Sequence, residues 1–458
     1  MNSILEVSAT KIAQLIRSKQ ASSLEVVDAY LERINAINPK LNAVVQLVPS
    51  DARQQAKAAD AVIAEGGRLG PLHGVPITVK DSFDTEGIIS TGGTMGRKDL
   101  VPRQDATAIA RLRAAGAIIL GKTNTPELTL AGETNNLIYG RTNNPYDISL
   151  SPTGSSGGSA AIVAAGGSPL DVGSDVGGSI RVPAHVCGIT GIKPTSGRVP
   201  RTGHIVDYRM GALDALQQIG PMARYVEDLE LALSIMAGPD GIDPAIVSMP
   251  LGNVADVDLG TLRVAYYLED GVAMPTQEIR DTVERVAKGL EGVVLSVEAK
   301  RPPELEESDD KWWRLFTADG GATIRRILDE SGTTETHPSI DWVLDSEPIS
   351  AVEYNALLLW LDNFRSRMLG FMQDYDVLLC PVSAYPAVPH GEVGRDTWSY
   401  INPYNFTGWP AATVRAGSTM EGLPIGVQVV ARPWREDMAL AVCQFIEDEF
   451  GGWQPPEI

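Results

Sequence analysis

Two segments rich in serine and glycine carry the residues of this chain that are best suited to covalent chemistry. The first reads Thr-Gly-Ser-Ser-Gly-Gly-Ser over residues 153–159, and the second reads Gly-Ser-Asp-Val-Gly-Gly-Ser-Ile-Arg over 173–181. Serine and glycine runs are usually flexible linkers with polar flanks. Here the apolar residues 160–165 join the two segments, and such residues need burial. Because glycine in apolar surroundings indicates close backbone approach or unusual φ/ψ angles, we predict structured loops.

Two common serine- and glycine-based sites fit these segments poorly. A phosphate-binding P-loop has Lys and then Ser or Thr directly after its last glycine, whereas Gly158 is followed by Ser159 and Ala160. A Ser-His-Asp hydrolase needs a histidine close to its serine. His73 and His185 lie nearest to the loops, but neither accompanies a G-x-S-x-G elbow. Nucleotide binding and a histidine-based triad are therefore both disfavoured.

Cysteine and metal chemistry are also weakly supported. A Cys187 nucleophile paired with His185 is conceivable, but an isolated cysteine beside apolar residues is usually packing. The five histidines show no spacing typical of metal ligands, so we predict no metal.

A lysine base remains as an alternative. Lys80 ends the apolar run 75–79, which is typical of a strand, and Asp81 follows it. Most lysines are solvated surface charges. At a buried strand end, however, desolvation penalises the ammonium and lowers its pKa by several units from about 10.4. A neutral lysine amine can act as general base to a serine.

These residues together resemble the amidase signature hydrolases over nearly the whole chain. The separation of Ser155 and Ser179 is also that of the family, although Ser174 stands where threonine is common. The resemblance rests on both serine and glycine segments and on the runs 74–81, 120–124, 183–184, 191–195, 220–224 and 422–428. It implies an α/β fold with a central mixed twisted sheet flanked by helices on both faces. We expect one amidase domain over 1–458, with its core at about 65–230 and 374–450 and a helical lobe at about 300–372.

The resemblance also implies a catalytic triad. Ser179 would be the nucleophile, Ser155 a bridging serine after a cis peptide bond from Gly154, and Lys80 the base of the proton relay. Backbone N–H groups would stabilise the negative charge that amide hydrolysis places on the carbonyl oxygen. The predicted oxyanion hole consists of Val176, Gly177 and Gly178 with the nucleophile's own N–H, and the predicted supporting residues are Ser156, Asp175 and Arg181.

The substrate cleft is predicted from loops near these residues. We expect Thr129, Gly154, Tyr208 and Arg209 to contact substrate, with residues 204–210 and the aromatic loop 400–409 as walls. Loops that carry aromatic residues beside a catalytic site often set specificity, although aromatic residues also fill cores.

Composition restricts the partners. The chain has 458 residues, 38 Lys plus Arg, 58 Asp plus Glu and a formal net charge of −20. This charge repels phosphate backbones and anionic lipids, so we predict neither nucleic acid nor membrane as a partner. Three dispersed cysteines and the absence of an apolar signal segment at the N-terminus predict a reducing, cytoplasmic location. We expect a monomer or homodimer without a cofactor.

Helical and strand-like segments alternate along the chain, as in α/β folds. Residues 117–120, 169–172, 262–267, 293–297, 376–380 and 424–431 are predicted strands, and residues 173–179 are predicted to be irregular. A Ser22–Glu25 capping box predicts the start of the second helix. One mixed sheet is the simplest arrangement.

The predicted function is hydrolysis of small aryl or apolar amides through an acyl-enzyme, with carbamates and esters also accessible. A first alternative is a glutaminase subunit that supplies ammonia to a partner in tRNA-dependent amidation. A second alternative is a binding protein that keeps the fold without turnover.

Overall fold

The computed structural model describes residues 2–458, in which helices alternate with strands. The strands are β1 (Val44–Leu47), β2 (Pro76–Lys80), β3 (Ile118–Thr123), β4 (Leu170–Asp175), β5 (Thr190–Lys193), β6 (Gln218–Ala223), β7 (Arg263–Tyr266), β8 (Ser296–Ala299), β9 (Val377–Pro381), β10 (Ala411–Ser418) and β11 (Pro424–Ala431). The α-helices are α1 (Ala9–Arg17), α2 (Ser23–Leu41), α3 (Pro49–Ala64), α4 (Thr107–Ala114), α5 (Gly157–Ala164), α6 (Arg181–Val186), α7 (Val226–Met236), α8 (Gln277–Leu290), α9 (Glu306–Phe316), α10 (Ala322–Ser331), α11 (Asp341–Leu344), α12 (Ala351–Phe371), α13 (Asn402–Thr407) and α14 (Glu436–Phe450).

A large mixed sheet forms the centre of the fold, which confirms the predicted class. Its strand order is β4-β6-β5-β10-β11-β9-β7-β8. The pairs from β4 to β9 are antiparallel, whereas β9, β7 and β8 run parallel. Every residue of β9 and β11 is buried, as expected for central strands that are covered on both faces.

The expectation of a single sheet is wrong, because β1, β3 and β2 form a second sheet of three strands. Hydrogen bonds link this small sheet to β4 and to Ser168, which lies just before it. The Thr78 backbone N–H donates to Ser168 Oγ, and Thr78 Oγ1 donates to Asp171 Oδ2 at 2.6 Å. β2 ends at Lys80 as predicted, so the lysine amine lies between the two sheets.

Two boundaries can be compared with the sequence expectations. The predicted irregular stretch 173–179 starts too early, because Gly173, Ser174 and Asp175 continue β4 and pair with β6. The second helix begins where its capping box predicts, with Ser22 and Glu25 bonded reciprocally. Among residues 2–458, no helix combines the length and apolar character needed to cross a bilayer.

Apolar side chains form two main cores. One lies around the sheets and the opening helices, and includes Ile77, Ile162 and Val429. The other joins helices α9, α10 and α12 to α13 and the adjoining ends of β9, β10 and β11, and includes Trp312 and Phe406. The helices that follow residue 300 therefore pack against the sheet beside the second serine segment.

Candidate active site

Lys80 is fully buried and its amine contacts three serine hydroxyls. Lys80 Nζ lies 2.7 Å from Ser155 Oγ, 3.0 Å from Ser156 Oγ and 2.9 Å from Ser174 Oγ. Ser155 and Ser156 directly precede α5, and Ser174 lies near the end of β4. The structure thus brings the predicted lysine to the first serine segment and also to Ser174 of the second.

Burial lowers the pKa of Lys80 to about 7, because desolvation penalises the ammonium form. The carboxylates of Asp171 and Asp175 act in the opposite direction. Burial also raises the pKa of Asp171 to about 6, against the effect of its hydroxyl partners Thr78, Ser159 and Thr123. A substantial fraction of Lys80 is therefore neutral near pH 7 and able to accept a proton.

The turn between β4 and α6 is held by a buried ion pair. Asp175 Oδ1 and Oδ2 accept from Arg181 Nη2 and Nε at 2.9 and 3.0 Å, and both side chains are fully buried. Burial acts to raise the pKa of Asp175, but the Arg181 charge and hydrogen bonds hold it well below its usual range. Asp175 also accepts from the backbone N–H groups of Gly178 and Ile180.

The backbone donors of this turn differ from the sequence expectation in one respect. The Gly178 N–H is expected in the oxyanion hole, but it donates to Asp175 Oδ1 at 2.8 Å and is not free for a substrate oxygen. Within residues 2–458, the backbone N–H groups of Val176, Gly177 and Ser179 have no protein acceptor. These three groups remain candidates for an oxyanion hole.

Ser179 precedes α6 and lies on the wall of a cavity. Its backbone carbonyl accepts from the Ser156 N–H at 3.2 Å, which joins the two serine segments. No hydrogen bond links Ser155 Oγ to Ser179 Oγ among the described residues. The geometry therefore contains the lysine-to-serine contact of the predicted relay but not the serine-to-serine hydrogen bond. Catalytic hydrogen bonds are often long before substrate binds.

The cavity beside Ser179 has a volume of about 470 Å³, and its lining is mainly apolar with several aromatic rings. Its Arg395 is neutralised by Asp309, which accepts from Arg395 Nη2 at 2.8 Å. The lining residues include Val176 and Gly177 of the turn, and the aromatic ones are Trp312, Trp313, Phe316, Trp342 and Trp398. An apolar or aromatic group fits such a lining better than a charged one.

Comparison with known proteins identifies the family. A model of the family described as Amidase matches residues 25–440. The chain belongs to the amidase family. It is accordingly an amidase, which acts on carbon–nitrogen bonds.

Similar proteins cover nearly the whole chain. Human fatty-acid amide hydrolase 2 is 34% identical, over 99% of this chain and 91% of its own length. A glutamyl-tRNA(Gln) amidotransferase component from Alkaliphilus metalliredigens is 31% identical, over 98% of this chain and 97% of its own length. A bacterial aryl acylamidase structure of the amidase signature family has a TM-score of 0.87 at 29% identity and covers 96% of each chain.

Of the four residues predicted to contact substrate, one lines the cavity and three do not. Thr129 lines the cavity. Gly154 does not, but it packs under the loop 131–133, which does. Tyr208 and Arg209 also lie outside the lining, and Asp207 and Glu330 hold Arg209 at the surface. The predicted wall 204–210 is therefore misplaced. The segment 400–409 is mostly helix α13 rather than a loop, and it reaches the cavity through Asn402.

His204 is a neighbour of the lysine that sequence reasoning missed. His204 Nε2 lies 3.1 Å from Ser174 Oγ, so it joins the group around Lys80. Burial and the Lys80 charge lower its pKa to about 3, so the ring is neutral. The only sequence signal for it is its place in the segment 204–210, which was expected to form a wall of the cleft.

Within the described part of the chain, no three His, Cys, Asp or Glu side chains are grouped closely enough to hold a metal ion.

Proposed function

We propose that this amidase hydrolyses small apolar or aryl amides through an acyl-enzyme on Ser179. The observation that carries the proposal is the position of Ser179 on the wall of a cavity with aromatic rings. Lys80 contacts Ser155 in the adjoining serine segment. Ser156, Asp175 and Arg181 would support this arrangement, as the contacts of the lysine and of the turn suggest.

In the acylation step, neutral Lys80 takes the proton of Ser155 Oγ while Ser155 takes the proton of Ser179 Oγ. The Ser179 oxygen then adds to the amide carbon, and the carbonyl oxygen gains negative charge. The free N–H groups of Gly177 and Ser179, with that of Val176, stabilise this charge.

The tetrahedral adduct then collapses. Ser155 donates a proton to the leaving nitrogen and regains one from the Lys80 ammonium, so the amine departs neutral. Water, deprotonated through the same relay, adds to the acyl carbon and releases the acid and Ser179.

The cavity supports an apolar or aryl acyl group as the substrate class. Indole and phenyl faces bind aromatic rings through offset or edge contacts, and Arg395 is already paired. The names of two similar proteins, a fatty-acid amide hydrolase and an aryl acylamidase, agree with this class. Aryl carbamates and esters present the same carbonyl to Ser179.

A panel of four substrates tests the proposal: an aryl anilide, a short aliphatic amide, glutamine and an aryl carbamate. We expect the highest kcat/KM for the anilide, and loss of about 10⁴-fold or more in Ser179→Ala. Thermal unfolding would verify that the variant folds. Full residual activity in Ser179→Ala would refute the nucleophile. Preference for glutamine would instead favour the ammonia-supplying role. If no substrate is turned over and a fluorophosphonate does not label Ser179, the result would favour a binding protein.

A further inference from the structure

Trp312 on helix α9 contacts the turn that carries the free N–H groups. Its indole Nε1 donates to the carbonyl oxygen of Val176 at 3.2 Å, and its ring is almost fully buried. We propose that Trp312 is a positioning residue, which fixes the Val176–Gly177 peptide so that the Gly177 N–H faces the substrate oxygen. This inference rests on the proposed function of Ser179.

Planarity of the peptide carries the first step. In a trans peptide, the C=O and the N–H of the same unit point in opposite directions. The Val176–Gly177 peptide is trans, since the only cis bond among the described residues is Gly154–Ser155. Anchoring the Val176 carbonyl on Trp312 therefore turns the Gly177 N–H away from α9.

The second donor of the turn is fixed in the same way. The Gly178 carbonyl accepts from the Val182 N–H at 2.8 Å, so the Ser179 N–H points away from the body of α6. The Gly178 carbonyl is thus held by the first turn of the neighbouring helix α6. The Val176 carbonyl is held by a single side chain, Trp312, from a distant segment. Trp312 is therefore the anchor that the rest of the turn does not supply.

Close packing restricts the turn further. A Cβ added at Gly177 would lie 2.7 Å from Trp312 Cζ2, so the indole occupies the space where a side chain would be. A Cβ added at Gly178, whose φ is +104°, would lie 3.0 Å from Trp398 Cε3. The two glycines therefore lie directly against two indole rings of the cavity wall.

The indole of Trp312 is itself rigidly held. Its ring stacks on Phe316 with centroids 4.9 Å apart and meets the edge of Trp313 at 5.1 Å. Because Trp312 also lines the cavity, a substrate that fills the cavity packs on the same ring that anchors the turn. Trp312 would therefore both contact the acyl group of the substrate and align the Gly177 N–H donor.

Trp312→Phe tests the proposal, because it removes the N–H donor and keeps an aromatic ring. Small misplacement of a catalytic group costs up to about 100-fold in rate, so we expect kcat to fall by about 10- to 100-fold, while KM changes no more than it does when Trp342 of the same cavity wall is replaced by Phe. We also expect a matching loss of affinity for an aryl boronic acid, whose Ser179 adduct is tetrahedral. The affinity for the product acid should change no more than it does in Trp342→Phe.

Trp342→Phe is the matched control. Trp342 lines the same cavity, and its Nε1 donates to the Leu130 carbonyl at the same distance of 3.2 Å, outside the turn. We expect this variant to change KM and leave kcat within about 2-fold, since donor alignment is what sets kcat. Equal kcat losses in the two variants, or a Trp312→Phe effect confined to KM, would overturn the proposal.

Two further measurements separate the possible failures. If Trp312→Phe does not fold, replacement of Trp312 by 3-benzothienylalanine keeps the ring size and removes only the N–H donor. The same fall in kcat would support the proposal, and an unchanged kcat would overturn it. Activity retained in Ser179→Ala would refute the proposed function, whereas unchanged kcat in Trp312→Phe with an inactive Ser179→Ala would refute only the role of Trp312.

Discussion

At the scale of the residue, burial lowers the pKa of Lys80 so that its amine can act as a base. The serine hydroxyls that contact the amine are groups from which it could take a proton. Two other buried lysines also have lowered pKa values, about 8 for Lys122 and about 7 for Lys193, in each case mainly through desolvation. Lys193 donates to backbone carbonyls, and the hydroxyl partners of Lys122, Thr85 and Ser90, do not reach the cavity. Only Lys80 contacts the serines that lead to Ser179.

Lys80→Met tests the lowered pKa through stability. In wild type, the unfolded lysine binds more protons than the folded one between about pH 7 and 10.5, so its effect on the free energy of unfolding grows more favourable as pH rises through this window. Between pH 6 and 9 the wild type should gain about 2 to 3 kcal/mol relative to the variant. Denaturant unfolding at both pH values measures this difference. A pH-independent difference would mean that the amine keeps its ordinary pKa.

The residues of the proposed relay could be found from the sequence. Lys80 follows an apolar run, and Ser155 and Ser179 lie in glycine-rich segments that a linker does not explain. The contact of His204 with Ser174 could not be found, because it depends on how a loop 30 residues away folds back on β4. The expectation that Tyr208 and Arg209 line the cavity fails for the same reason, since it also depends on the path of this loop. Arg209 instead forms an ion pair with Asp207 at the surface.

At the scale of the element, the turn from β4 to α6 is shaped by Asp175. This carboxylate takes the Gly178 and Ile180 N–H groups and leaves those of Gly177 and Ser179 free. The sequence placed Asp175 and Arg181 correctly beside the glycines, but it did not distinguish which N–H groups the carboxylate would use. That choice depends on the path of the backbone rather than on residue type.

Asp175→Asn should destabilise the protein and impair catalysis together. The substitution leaves the buried Arg181 charge without its counter-ion, which typically costs about 3 to 5 kcal/mol. We expect the free energy of unfolding to fall by this amount at pH 7, and kcat to fall as the turn loses its anchor. Because the pKa of Asp175 is lowered, its contribution should be present above about pH 4 and be lost as pH falls below that.

Asp28→Asn is the control for this comparison. Asp28 pairs with Arg53 at the surface, where both side chains are 47% exposed, so its loss should cost no more than about 1 kcal/mol. Similar losses in the two variants, measured by denaturant unfolding, would contradict the structural role of the buried pair.

Elements with strong local patterns could be predicted, and those that depend on pairing could not. β11 has the predicted bounds, and β2, β7 and β9 lie within a few residues of theirs. β5, β6 and β10 were missed, since they contain glycine or proline and are held mainly by their neighbours. Gly173 lies within β4 because it pairs with Gly220 of β6, which local sequence does not show.

At the scale of the whole molecule, the site lies where three parts of the chain meet. The small sheet supplies Lys80, the large sheet supplies the turn with Ser179, and the helices after residue 300 supply most of the aromatic wall. The sequence indicated each part separately. It did not indicate that Trp312 and Trp342 would face Ser179, because their helices are charged and carry no motif of the family resemblance.

The rate at which a fluorophosphonate labels this amidase, measured from pH 5 to 9 with the modified peptide mapped by mass spectrometry, tests the central claim most directly. A phosphonylated Ser179 whose rate of formation rises with pH around a midpoint near 7, and falls by about 10³-fold in Lys80→Arg, is the result that the account predicts. An adduct on another residue, or a rate on Ser179 that does not change with pH or with Lys80→Arg, would contradict it.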